Sequence, residues 1–201
     1  MIITVSGLPG SGKTTLAQNI ASFFGYKFYS MGGMRGKYAM EHGMTIDELN
    51  ELAKKDPSSH HLVDHFIRDL GKKEDNFTTD GWVSFFFIPH SVKIFLEVDP
   101  EVGARRIFRD QRADEKPVQS VAEMRTMLEE RVVTTDKQFK KYYGFDFRKR
   151  DNYDLAFDTT DISTEQVIEK ALEFIKKIKP VEYAQAVKAS GKAHAMSKSW
   201  R

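Results

Sequence analysis

Short apolar runs alternate along this chain with longer segments whose apolar residues recur three and four positions apart. Residues 2–6 form a β-rich run that breaks at Gly7, and residues 13–24 then carry Leu16, Ala17, Ile20, Ala21 and Phe24 at helical spacing. Gly25 is placed to end that helix, and residues 26–30 alternate as a second strand. From 31 to 73 the pattern is helical, with breaks near Gly43 and at Asp56-Pro57, and reads as an excursion that covers a second substrate. Residues 76–80 and 91–98 supply two more strands, each ending in an acid, Asp80 and Asp99. A basic helix over 101–112, a charged break over 114–119 and a longer helix over 121–143 follow. The pattern closes with a short strand over 154–158 and a helix over 165–178 that Pro180 stops.

Strands separated by helices of this length imply parallel pairing through right-handed crossovers. The expected fold is therefore α/β, a three-layer sandwich with a parallel sheet of about five strands and its ligand crevice at the strands' carboxyl ends. Residues 1–179 read as one domain, with 31–73 as acceptor-binding helices and about 105–120 as a lid, and 180–201 read as a basic tail, mobile or marginally helical.

Composition narrows the chemistry. The chain has no cysteine, which excludes disulfides, thiol nucleophiles and Cys-ligated zinc and fits a reducing cytoplasm. No signal-like n-region precedes the first strand, and no apolar stretch approaches ~18 residues, so neither export by such a signal nor a membrane span is expected. Of a net charge of +2, the excess sits in residues 181–201, where Lys188, Lys192, Lys198 and Arg201 face Glu182 alone. The body is close to neutral, so strong nucleic-acid binding is not expected, and the protein is expected to be a monomer.

The segment Gly7-Leu8-Pro9-Gly10-Ser11-Gly12-Lys13-Thr14, followed by Thr15, lies between the first strand and the first helix. Glycines there let successive backbone N–H groups turn inward, and the helix N-terminus adds positive potential, so a nucleoside triphosphate meets donors already arranged. Gly7, Pro9, Gly10, Ser11, Gly12, Lys13, Thr14 and Thr15 are the candidate ATP-binding residues, with Lys13 spanning the β and γ phosphates and Thr14 offering its hydroxyl to Mg²⁺. Asp80, beside Gly81 at a strand end, is the second candidate, holding a magnesium-bound water or a substrate hydroxyl. Asp99, ahead of Pro100, reads instead as turn chemistry. Arg105, Arg106, Arg109 and Arg112 recur on neighbouring turns and could clamp phosphates as a closing lid, and Arg131 follows in the next helix. His60, His61 and His65 lack the partners of a recognisable metal site, the run 148–150 reads as a solvated basic loop, and the aromatic run 82–87 reads as buried material.

Further stretches carry a family resemblance: Tyr29-Ser30-Met31-Gly32-Gly33-Met34-Arg35-Gly36, Glu41-His42-Gly43-Met44-Thr45, Lys141-Tyr142-Tyr143-Gly144-Phe145-Asp146 and Tyr153-Asp154-Leu155. With the opening glycine loop they make residues 1–178 similar to the nucleoside monophosphate kinases, and most to the short archaeal-type cytidylate kinases. The resemblance implies ATP- and Mg²⁺-dependent phosphoryl transfer to a nucleoside monophosphate, CMP or dCMP first. It also implies that Ser30, Gly32 and Arg35 lie beside the acceptor, that Arg106 and Arg109 match lid arginines approximately, and that Arg131 looks toward the transferred phosphoryl. Two positions depart from the pattern, with Trp82 after Gly81 and Gln138 after Arg131 where arginines are expected. They leave an acceptor phosphate with fewer cationic partners and keep open a kinase of another small molecule, or a nucleotide-binding regulator without turnover.

Overall fold

The structure, a computed structural model, describes residues 1–55, 58–111 and 115–190. Its centre is β1 (Ile2–Gly7), in which all six residues are buried, the signature of a strand covered on both faces. Around it β2 (Lys27–Ser30), β3 (Phe77–Asp80), β4 (Val92–Glu97) and β5 (Leu155–Asp158) complete a five-stranded sheet in the order β2-β3-β1-β4-β5. All its pairings are parallel, as the spacing of strands and helices requires.

One face of the sheet is covered by α1 (Lys13–Phe24) and α8 (Thr164–Ile178), whose Leu16, Ile20, Val167, Leu172 and Ile175 close over Ile3, Val5, Ile94 and Leu96. On the other face α2 (Met31–Glu41), α3 (Ile46–Lys55) and α4 (Ser58–Lys73) follow β2, and Met31, Ile67 and Leu70 pack with Ile2 and Phe77. Beside them the short α5 (Ser84–Phe87) and the long α7 (Val121–Tyr143) bring Phe85 and Phe139 onto Phe95 and the fully buried Phe147. Each such ring contributes roughly 1.5–3 kcal/mol of burial, which explains why the aromatic run is mostly core. The exception is Phe86, 42% exposed. A separate cluster of Ala104, Val118, Met124 and Leu128 joins α6 (Pro100–Arg109) to α7.

Three details differ from the sequence pattern. The basic helix α6 starts at Pro100, because the Asp99 carboxylate accepts the N–H groups of Glu101 (2.9 Å) and Val102 (3.1 Å), and it ends at Arg109. Of the two readings open for the tail, mobile or marginally helical, residues Pro180–Ser190 take the helical one, α9, and it is packed: Pro180 stands where a helix tolerates it, at the start, and Tyr183 packs on Phe23 and Phe24 at centroid separations of 5.2 and 6.3 Å. Residues 191–201, which hold most of the tail's cations, lie outside the described residues. The basic run 148–150 is more than solvated loop, since Arg148 reaches the buried Asp136 at 3.0 Å and Arg150 pairs with Glu97.

Candidate functional site

Strand register puts the candidate residues side by side. Val5 lies opposite Asp80, Asp80 opposite Ser30, and Gly7 opposite Leu96, so the carboxyl ends of β1, β2 and β3 meet under the loop over residues 7–14. The sheet changes direction here, with β3 on one side of β1 and β4 on the other, and that reversal opens the crevice. A cleft of about 1940 Å³ runs from the glycine loop, past Asp80, into the space under α2–α4.

Gly10 and Gly12 take left-handed backbone conformations at φ 76° and 84°, which L side chains rarely adopt. Gly10 also lies against α6, where a Cβ would stand 2.4 Å from the Gly103 carbonyl oxygen. The loop is held from below as well: the Thr159 hydroxyl lies 3.1 Å from the Ser11 carbonyl oxygen and 2.9 Å from that of Glu97. Ser11 is 1% exposed, and its hydroxyl has no hydrogen-bond partner among the described residues. A buried hydroxyl left unpartnered in such a glycine loop suits a bound oxyanion. Lys13 is half-buried, and its Nζ donates to the Leu8 carbonyl oxygen at 3.4 Å.

Asp80 is 3% exposed. One carboxylate oxygen accepts the Met31 N–H at 3.2 Å and the other accepts the Thr14 hydroxyl in a short hydrogen bond. The two residues expected to serve Mg²⁺ therefore face each other across the loop, a donor set of hard oxygens that fits that cation. Next to Asp80, Gly81 is stitched to β1 through its N–H to Val5 (3.1 Å) and its carbonyl from Ser6 Oγ (2.8 Å). A Cβ there would collide with Ser84 Oγ at 2.3 Å.

On the acceptor side, the Ser30 hydroxyl accepts the Gly33 N–H at 3.0 Å and caps α2, which sets Gly32 and Arg35 along the cleft wall. Burial draws the Arg35 guanidinium below its ordinary value, opposed by the Asp64 carboxylate and by Tyr143. Tyr143 in turn donates a short hydrogen bond to Asp64, and burial, with that carboxylate second, drives its hydroxyl above the usual tyrosine range.

The arginines do not converge as a clamp. Arg106 lines the cleft, but its guanidinium donates to the carbonyl oxygens of Gly10 (3.3 Å), Thr159 (2.9 Å) and Thr160 (3.2 Å), so it ties α6 to the glycine loop. Arg109 is exposed and does not line the cleft, and Arg105 pairs with Glu101 at 3.1 Å. Arg112 lies outside the described residues. Arg131 does line the cleft, paired at 2.8 Å with Glu115, and both side chains are largely buried. The side chains of His60 and His61 lie outside the described set, and no metal-binding group of His, Cys, Asp and Glu occurs among the described residues. Within the same set, no helix is long and apolar enough to cross a membrane.

A glycine loop between β1 and α1, a β2-β3-β1-β4-β5 parallel sheet and a helical excursion after β2 define a P-loop kinase fold. The same fold is shared by a shikimate kinase from Bacteroides thetaiotaomicron, with a TM-score of 0.60, 15% identity, and coverage of 90% of this chain and 99% of that one. The chain belongs to the cytidylate kinase-like family, whose model matches residues 2–161. It is 33% identical over 183 residues to a cytidylate kinase of Archaeoglobus fulgidus, spanning 89% of this chain and 98% of that protein. It is also 31% identical over 186 residues to an S-adenosylmethionine-dependent nucleotide dehydratase of Lacinutrix mariniflava, spanning 92% of this chain and 38% of that protein.

Thr159, Asp64, Glu115 and Gly103 escaped the sequence reading. Gly103 alone left a signal, as an isolated glycine inside a helical pattern, which marks close packing. The others are single residues brought to the cleft by elements remote in sequence.

Proposed function

We propose that this protein transfers the γ-phosphoryl of ATP, with Mg²⁺, to a nucleoside monophosphate, CMP or dCMP first. One observation carries the reading: the cleft that begins at Lys13 and Thr14 passes the Thr14–Asp80 pair and continues without a wall to Arg35 under α2–α4. A donor phosphate on the loop and an acceptor beside Arg35 would share one water-restricted space. The Archaeoglobus relative is named a cytidylate kinase, and the Lacinutrix protein is named for chemistry on a nucleotide; both support a nucleotide acceptor.

Little covalent chemistry is required of the chain. The loop over residues 7–14 and Lys13 would hold the triphosphate, Thr14 and Asp80 would hold the magnesium ion, and Arg131 would offset charge on the transferring group once released from Glu115. Magnesium supplies charge neutralisation between the phosphates. Arg106, tied to three carbonyls, fixes the loop's position instead of touching the phosphoryl group.

The direct test incubates the protein with ATP, Mg²⁺ and, separately, CMP, dCMP, UMP, AMP and GMP, following ADP and nucleoside diphosphate together. Diphosphate from CMP or dCMP supports the reading. Protein that binds ATP but releases no acceptor-dependent ADP overturns it, and then favours a small-molecule kinase of another specificity or a regulator without turnover. The first of those is favoured by Trp82, whose ring lies 5.0 Å from Phe147 and fills the place of an expected cation.

Asp80→Asn tests the metal assignment. The variant keeps the shape of a side chain that is 3% exposed and retains an acceptor for Met31 N–H, so folding is expected to survive. Activation by Mg²⁺ is expected to weaken by roughly 10–100-fold, the usual cost of removing a carboxylate that orients a metal's surroundings. An unchanged Mg²⁺ titration would leave Asp80 as a purely structural cap on α2.

A further inference from the structure

Arg131, Thr135 and Gln138 are four and seven positions apart on α7, so they share one helix face, and all three line the cleft. Their position is fixed from behind by Phe139, 6% exposed, whose ring lies 5.8 Å from Phe147 and 6.5 Å from Trp82. That turn of α7 cannot rotate without breaking the aromatic cluster. The side-chain nitrogen of Gln138 is buried and has no hydrogen-bond partner among the described residues. A buried N–H group without an acceptor is destabilising, and native structures keep few of them without a ligand or ordered partner to meet them.

Charge distribution along the wall gives this donor a role. Arg131 faces the Glu115 carboxylate, Arg35 lies in the field of Asp64, and Arg106 is engaged by backbone carbonyls. Gln138 adds a donor of fixed direction and no charge. Such a group recognises an oxygen by geometry, whereas a cation would attract every anion that enters.

We propose that Gln138 is a specificity-determining residue whose carboxamide donates a hydrogen bond to an oxygen of the acceptor nucleotide. The inference rests on the acceptor reading above and deepens it. The oxygen belongs to the acceptor's phosphate or to a carbonyl of its base, two sources with the same chemistry at the amide.

Calorimetric titration of CMP and of AMP into wild-type, Gln138→Met and Gln138→Glu proteins tests this without relying on turnover, with ATP titration and thermal unfolding as controls. Methionine keeps the length and packing but removes the donor. CMP binding is expected to weaken about 5–10-fold in Gln138→Met, the scale of one lost hydrogen bond, with ATP binding unchanged and the unfolding temperature of the free protein no lower than that of wild type. Gln138→Glu, of the same shape, replaces the donor by an anionic acceptor and is expected to weaken CMP binding further. An equal loss for AMP in Gln138→Met, with a salt-screened extra loss in Gln138→Glu, assigns the bond to phosphate. A loss confined to CMP assigns it to the base carbonyl, which adenine lacks. Folded Gln138→Met protein that binds CMP as well as wild type, or that loses ATP to the same degree, overturns the proposal. Wild-type protein that binds ATP but neither CMP nor AMP overturns the acceptor reading, and this inference with it.

Discussion

Lys13→Met is expected to abolish phosphoryl transfer while leaving the fold intact. Lys13 is half-buried on the first turn of α1, and its Nζ donates to the Leu8 carbonyl oxygen at 3.4 Å. The side chain contributes little to the core, whose nearby load is carried by Leu16, Ala17 and Ile20. Methionine preserves the length and most of the apolar stem, so unfolding should shift by no more than about 2 °C, equivalent to ~0.5 kcal/mol. Turnover depends on the charge. The transferring group spreads negative charge over its equatorial oxygens, and a fixed cation in a cleft of low polarity stabilises that charge without reorganising. Removing such a preorganised group costs roughly 10³-fold or more in rate. The measurement is ADP release against each acceptor in matched wild-type and variant protein, with ATP binding followed by calorimetry. Full residual activity would sink the P-loop kinase reading. Loss of both rate and stability would make Lys13 a structural residue.

What the sequence disclosed depended on how local each feature is. The strands over 2–6, 76–80 and 154–158 were readable because a buried parallel strand is a compact apolar run bounded by turn residues, and α7 was readable because Met124, Leu128 and Val132 keep helical spacing through its first half. The glycine loop was readable for the same reason: its donors are consecutive in the chain. The short α5 was not, since four residues, two of them buried phenylalanines, show no period. For α9 a marginal helix was one of two readings and could not be preferred, because Tyr183 and Ala186 make a narrow stripe and the apolar partners, Phe23 and Phe24, lie at the other end of the sequence.

Arginines show the limit more sharply. Spacing alone grouped Arg105, Arg106, Arg109 and Arg112 as one clamp, yet the three that lie among the described residues are put to different uses: Arg105 makes a surface ion pair, Arg106 braces α6 against the glycine loop, and Arg109 is exposed. Helical position says which residues could share a face. It does not say which acceptors the rest of the chain will bring to meet them, and Thr159 and Thr160, after β5, are what captured Arg106.

Gly103→Ala is the second substitution with a large expected effect, and its sign is opposite to the one helix propensity gives. Alanine in place of glycine within an exposed helix normally stabilises by ~1 kcal/mol. Gly103 is buried in α6 with its backbone against the glycine loop, and a Cβ there would stand 2.6 Å from the Pro9 carbonyl oxygen and 3.2 Å from a Val98 methyl. The closest atom is backbone and cannot swing away. Retreat of the loop is opposed by Gly10, whose own approach to Gly103 is equally tight, and by the bonds that tie Gly10 to Arg106 of α6 and Ser11 to Thr159 after β5. Overpacking of this kind costs ~1–3 kcal/mol, and for a chain of this length each kcal/mol lowers the unfolding temperature by about 2–4 °C. The variant should therefore melt several degrees below wild type and bind ATP more weakly, because the glycine loop is displaced from the position that α6 imposes. Thermal unfolding with and without MgATP separates the two effects: a lower melting temperature together with a smaller upward shift on adding MgATP is the expected pair. A variant that melts higher than wild type would mean that the loop yields freely, and that α6 does not set the geometry of the phosphate cradle.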